Sequence, residues 1–127
     1  LSFMDPVPFA MLPACISAVD ISIVAIDGPS SEASLPSKTF TSLACGKPLI
    51  VIAPLKSDLA RLVEKYECGF VIEIGKHSAK ALANKINYLA SNKKILKRLT
   101  KNAFKTSSLY TDKNADILVN KWLSNNY

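Results

Sequence analysis

The stretch of this chain best equipped for chemistry is Leu35-Pro36-Ser37-Lys38-Thr39-Phe40-Thr41, followed by Ala44-Cys45-Gly46-Lys47-Pro48 and the apolar run Leu49-Ile50-Val51. Pro36 turns the chain out of a loop. Ser37 is the expected N-cap of a helix over 38–45, and Gly46 is its stop. A helix N-terminus presents unpaired N–H donors and about half a positive charge, which suits a phosphate. Ser37 and Thr39 add hydroxyl donors, and Lys38 adds a cation. A lysine in a first turn opposes the helix dipole, so an anion in front of it relieves an unfavourable arrangement. The chemistry these residue types predict is an anion site, with phosphate the natural occupant. The chain has no Gly-x-Gly-x-x-Gly and no Gly-x-x-x-x-Gly-Lys-Ser/Thr, so the dinucleotide-binding and P-loop readings lose support.

Other candidates are weaker. Asp27-Gly28 ends an apolar run; Asp27 would contact a sugar or, more simply, form a turn. Glu32 lies in the same loop, 27–36, which is rich in Gly, Pro and Ser. His77 is the chain's one histidine, so no His-based dyad or metal cluster is expected, and it reads as a bystander. Lys47 and Lys56 read as solvated surface, and Asp58 as a helix cap. Cys15, Cys45 and Cys68 are odd in number and lack Cys-x-x-Cys spacing, so buried inert thiols in a reducing compartment are expected, with no metal and no disulfide framework.

The elements that must position these residues follow from periodicity. The runs 21–26, 48–53 and 69–74 are continuous, apolar and rich in β-branched residues, as in strands of a parallel sheet buried on both faces. Helices fall between them. Leu12, Cys15, Ile16 and Val19 keep helical spacing, with Pro13 in the first turn. Leu59, Leu62 and Val63 mark another helix, capped by Ser57 or Asp58. Alternation of this kind predicts an α/β fold with a right-handed, mostly parallel sheet, and ligands then bind at the carboxyl ends of the strands. After Gly75 only helices are expected. Ser78 caps one that carries Leu82, Ala83, Ile86, Leu89 and Ala90 on a single face. Ile95, Leu96, Leu99 and Ala103 mark the next. Thr111 or Asp112 opens the last, with Ala115, Leu118, Val119 and Trp122 inward.

The 127 residues allow one compact domain. The expected organisation is one partial domain: an α/β half-domain over 1–75, and a basic helical segment over 76–127 packed on it. No apolar run approaches the roughly 20 residues that span a bilayer, and Leu1–Asp5 show no signal-peptide pattern. The chain is expected to be a segment of a longer protein. Three strands are half of the roughly six in a complete nucleotide-binding domain, so the first strand is expected to expose an edge that favours a dimer. Charge is split: residues 1–75 hold five Lys/Arg and eight Asp/Glu, net −3, and residues 76–127 hold eleven and two, net +9. Lys93, Lys94, Lys97, Arg98, Lys101 and Lys105 oppose an apolar face, a pattern suited to solvent or to an anionic membrane surface. Nucleic acid is not expected, because aromatic residues are too sparse there for stacking.

Leu35-Pro36-Ser37-Lys38 followed by Ala44-Cys45-Gly46-Lys47-Pro48 resembles the donor-site helix of group 1 glycosyltransferases, nucleotide-sugar-dependent retaining enzymes of the GT-B fold. Leu12-Pro13, Ala18-Val19-Asp20-Ile21 and Cys68-Gly69-Phe70-Val71-Ile72 are similar to flanking motifs of that family, in order. The resemblance implies the second half of a Rossmann-like C-terminal domain that binds a nucleotide diphosphate sugar. The acceptor, a saccharide or lipid-linked saccharide, would be held by an N-terminal domain not present here. It implies that Pro36, Ser37, Lys38 and Thr39 meet the diphosphate, that Thr41 meets the ribose, and that no cofactor or metal is required. It also implies a cytoplasmic protein, peripheral at the inner face of a membrane. One departure stands out: the glutamate pair common in the family would fall on Ala33 and Thr41. Two alternatives remain open, a non-catalytic scaffold that contacts membrane or partner, and a nucleotide-sugar epimerase on the same architecture. No catalytic residue is assigned.

Overall fold

A computed structural model describes residues 5–29 and 31–125, and within the last helix it leaves the side chains of Ala115, Leu118, Trp122 and Asn125 undescribed. The inward placement expected for Ala115, Leu118 and Trp122 therefore lies outside the described residues. The elements are α1 (Leu12–Ala18), β1 (Ser22–Ala25), α2 (Ser37–Ala44), β2 (Leu49–Ala53), α3 (Asp58–Lys65), β3 (Gly69–Glu73), α4 (Ser78–Ser91), α5 (Lys93–Ser107) and α6 (Lys113–Asn125). The strands form one parallel sheet in the order β1-β2-β3. Val24, Val51 and Val71 sit side by side across it. The α/β reading and the three-stranded parallel sheet are as the periodicity predicts.

The sheet is held by burial on both faces of β2. Leu49, Ile50, Val51 and Ala53 are all fully buried. Leu49, Val51 and Ala53 join Val24, Leu43, Leu59, Val63 and Cys68 on one face; Ile50 joins Ile72, Leu89 and Leu99 on the other. Each fully buried Leu or Ile contributes about 1.5–3 kcal/mol relative to exposure. β1 has β2 on one side and no strand on the other among the described residues, and its Ile23 is 48% exposed.

Local signals set the element ends. α2 ends in a Schellman turn: the N–H of Lys47 donates to the Ser42 carbonyl and the N–H of Gly46 to that of Leu43, both at 2.9 Å. That turn needs a left-handed residue, and Gly46 supplies it at φ +68°. α3 ends in the same turn, through the N–H of Cys68 to Val63 O and the N–H of Glu67 to Glu64 O, both 3.2 Å. Here the left-handed position falls to Glu67, at φ +46°. Ser57 caps α3, its Oγ accepting from the Ala60 N–H at 3.2 Å. A Cβ on Gly69 would collide with the Leu49 carbonyl oxygen, so the close pairing of β2 and β3 requires glycine there.

Several expectations are corrected. Ser37 is not the N-cap of α2; Pro36 holds that position, Ser37 is the first helical residue, and no side chain caps the helix. Ser78 likewise lies inside α4, with His77 at the cap position and the Ser78 hydroxyl donating to Gly75 O at 2.7 Å. In α4, Ala83 and Ala90 are exposed and Ala81 packs inward instead, because the sheet meets a narrower stripe than the apolar residues offered. Val19 falls past the end of α1 and is 44% exposed. In α6, Val119 is 55% exposed, so it does not face inward. Cys68 is buried, but Cys15 and Cys45 are only half-buried because α1 lies at the periphery. Lys47 is not simply solvated: its Nζ donates to Ser17 O at 2.8 Å and ties α1 to the start of β2.

α5 crosses the amino-terminal end of the sheet. Its Thr100 and Phe104 stand against Gly46, in the turn before β2, and the Asn102 amide donates to Glu67 O at 3.0 Å, in the turn before β3. The carboxyl-terminal end carries the loops that leave the strands.

Candidate functional site

The loops that leave the three strands lie at the carboxyl end of the sheet. After β1 the chain turns at Asp27, whose Oδ1 accepts from the Gly28 N–H at 2.6 Å. Ser31, buried, donates its hydroxyl to Gly28 O at 2.7 Å and fastens the loop. Asp27 therefore does turn-forming work in this structure. A short 3-10 turn over Ser31–Ala33 carries Glu32 outward. The loop then reaches Pro36, and α2 runs back along the sheet.

The N-terminus of α2 has the features of an anion site. Pro36 is extended at φ −59°, ψ 139°, and delivers the chain directly into the helix. The Thr39 N–H is used by Pro36 O at 2.9 Å. Among the described residues, neither the Ser37 nor the Lys38 N–H has a partner, and no acidic residue lies in the first turn. Ser37 and Lys38 are exposed. The only ion pair among the described residues is Arg61–Asp58 at 3.2 Å, so Lys38 is not neutralised by a neighbour. Two N–H donors without a partner among the described residues, a hydroxyl and a cation thus belong to one helix terminus.

Thr39 does not join them. It is completely buried, and among the described residues its Oγ1 has no partner. The expectation of a hydroxyl offered to an anion is corrected here: in the first turn the third residue points back into the core, under the helix, while Ser37 and Lys38 point out. Thr41 is half-buried, and its Oγ1 donates to Ser37 O at 3.3 Å, a bond within the helix.

Glu32 lines a groove of about 310 Å³ with Pro54, Leu55, Lys56, Glu73 and Ile74. This groove lies over the carboxyl ends of β2 and β3, so the structure gathers Glu32, Lys56 and Glu73 at one end of the sheet. Lys56 reads as plain surface in the sequence, and Glu73 only as a strand residue. Their positions at strand ends were the one signal available for both. A second groove of about 390 Å³ beside the end of β3 is lined by Glu73, Lys76, His77 and Lys85 among others. Lys85 stacks over Phe70 with Nζ 4.2 Å from the ring centre. Asp58 pairs with Arg61 in the first turn of α3, and Ser57 takes the cap. No group of three or more His, Cys, Asp or Glu residues gathers to hold a metal among the described residues. No described helix is long and apolar enough to cross a membrane.

Comparison with known proteins bears on this arrangement. No curated protein and no solved structure matches the chain. The family described as "Glycosyl transferases group 1" matches residues 7–106, from the turn before α1 to the last turn of α5. That span contains the whole sheet, the α2 terminus and the groove over the strand ends, and on it the chain belongs to the group 1 glycosyl transferases.

Proposed function

We propose that this chain supplies the donor-binding part of a glycosyl transfer reaction, holding a nucleotide diphosphate sugar whose sugar passes to a saccharide or lipid-linked acceptor. The observation that carries the reading is the α2 terminus: two N–H groups, Ser37 and Lys38, all without a protein partner among the described residues, at the carboxyl end of a parallel sheet. A diphosphate leaving group gains negative charge as the glycosidic bond to it breaks. Donors and a cation fixed in advance at that point stabilise the charge without reorganising. Pro36 sets the direction of the helix axis. Thr41 lies one turn further, where a ribose hydroxyl would meet its Oγ1. Glu32, Lys56 and Glu73 border the space available to nucleoside or sugar. The acceptor would be held by a further domain, and residues 1–75 and 76–127 would act together as a partial domain.

A second reading is a non-catalytic relative that keeps the fold and has lost donor binding. The observation favouring it is the residue pair Ala33 and Thr41, where the family's glutamates are expected. Calorimetric titration with uridine, guanosine and adenosine diphosphates separates the two. The donor reading expects one nucleotide to bind, and Lys38→Ala to weaken it about tenfold, the value of one charge-assisted hydrogen bond. Ser37→Ala should weaken it less. Binding that neither substitution changes removes the diphosphate from this helix. No affinity for any of the three nucleotides favours the scaffold.

A further inference from the structure

α5 carries Lys93, Lys94, Lys97, Arg98, Lys101 and Lys105, all exposed, and no acidic residue. At about 100° per residue these six fall within one arc of about 140°. Phe104 falls inside the same arc and is 65% exposed. The opposite side of the helix is committed to the core through Leu99 and Ala103. The charge extends beyond the helix: between Glu73 and Asp112 the chain has nine Lys/Arg and no Asp or Glu. None of those cations pairs with a carboxylate among the described residues.

This face is separate from the site at the other end of the sheet. α5 lies across the turns before β2 and β3, at the opposite end of the strands from the α2 N-terminus. A cationic stripe unrelieved by carboxylates attracts anionic surfaces, and two kinds of polyanion would fit. A nucleic-acid surface favours guanidinium forks and several rings for stacking; α5 offers one arginine and one phenylalanine. Lysines are flexible point charges suited to diffuse headgroup charge, and a lone protruding ring among them suits the boundary between headgroups and acyl chains.

We propose that the outer face of α5 docks on an anionic lipid bilayer, its lysines on the headgroups and Phe104 entering the interface. The test is flotation of the protein with vesicles of phosphatidylcholine containing about a third phosphatidylglycerol, and with phosphatidylcholine alone, in 0.1 M salt. The proposal expects binding to the anionic vesicles only, falling in 0.5 M salt as screening sets in. Lys97→Ala with Lys101→Ala should weaken it about 25-fold, from about fivefold per lysine. Phe104→Ala should weaken it about tenfold. All three positions are exposed, and circular dichroism verifies that each variant is folded. Equal binding to both vesicles, binding indifferent to these substitutions, or no binding would each overturn the proposal. So would tighter capture by a duplex oligonucleotide than by anionic vesicles at the same salt.

Discussion

Thr39→Val is the substitution that most directly tests how the α2 terminus is built. Thr39 is fully buried, and among the described residues its Oγ1 has no hydrogen-bond partner. Its backbone N–H is already satisfied by Pro36 O. Valine has nearly the same shape, so the packing of the γ-methyl against the core is kept and only the hydroxyl is removed. A buried hydroxyl without a partner costs roughly 1–3 kcal/mol in proteins. Allowing for the valine methyl's imperfect fit, the variant should gain about 1–2 kcal/mol. For a domain of this size that is a rise in Tm of about 4–8 °C. Thermal unfolding followed by circular dichroism at 222 nm reads it. Thr39→Ser is the control: it keeps the hydroxyl, loses the methyl and should lower stability by about 1 kcal/mol. The same argument makes Thr39 irrelevant to donor affinity, so Thr39→Val should bind a nucleoside diphosphate within about twofold of the parent. A fall in Tm for Thr39→Val would show that the hydroxyl has a partner and refute the reasoning. A tenfold loss of nucleotide affinity at unchanged fold would return Thr39 to the anion site.

Two further predictions concern the turn before β3. Glu67 holds a left-handed conformation that costs a side-chain-bearing residue about 1–2 kcal/mol. Glu67→Gly removes that strain but loosens the unfolded chain, so a net gain of about 0.5–1 kcal/mol is expected, read as a higher urea midpoint at unchanged slope. Burial pushes the adjacent Cys68 thiol up from its ordinary 9.0 to about 11. The raised value means the folded state keeps its proton where the unfolded chain has lost it. Stability is therefore whole below pH 9 and declines as pH rises from about 9 to 11. Urea titrations across that window should show the decline in the parent and a flatter profile in Cys68→Ala.

The order of strands and helices was determined by local sequence alone. Runs such as Leu49–Ala53 are apolar on both faces, which only a strand covered from both sides tolerates, and Ser57 and Gly46 mark ends whose backbone geometry needs those residue types. The anion-ready terminus of α2 was also legible, because free N–H groups at a helix start are a property of the backbone. What the tertiary structure decided was which side chains face out. Ser37, Lys38 and Thr39 are consecutive and all polar, yet the core takes Thr39 and leaves the other two to solvent. The same holds for Lys47, which sequence reads as surface and contact with α1 turns into a tie, and for Lys56 and Glu73, which share a groove with Glu32 because the ends of β2 and β3 meet the loop that follows β1 there. Periodicity fixes a residue's direction within its own element; only the packing of elements determines what stands opposite.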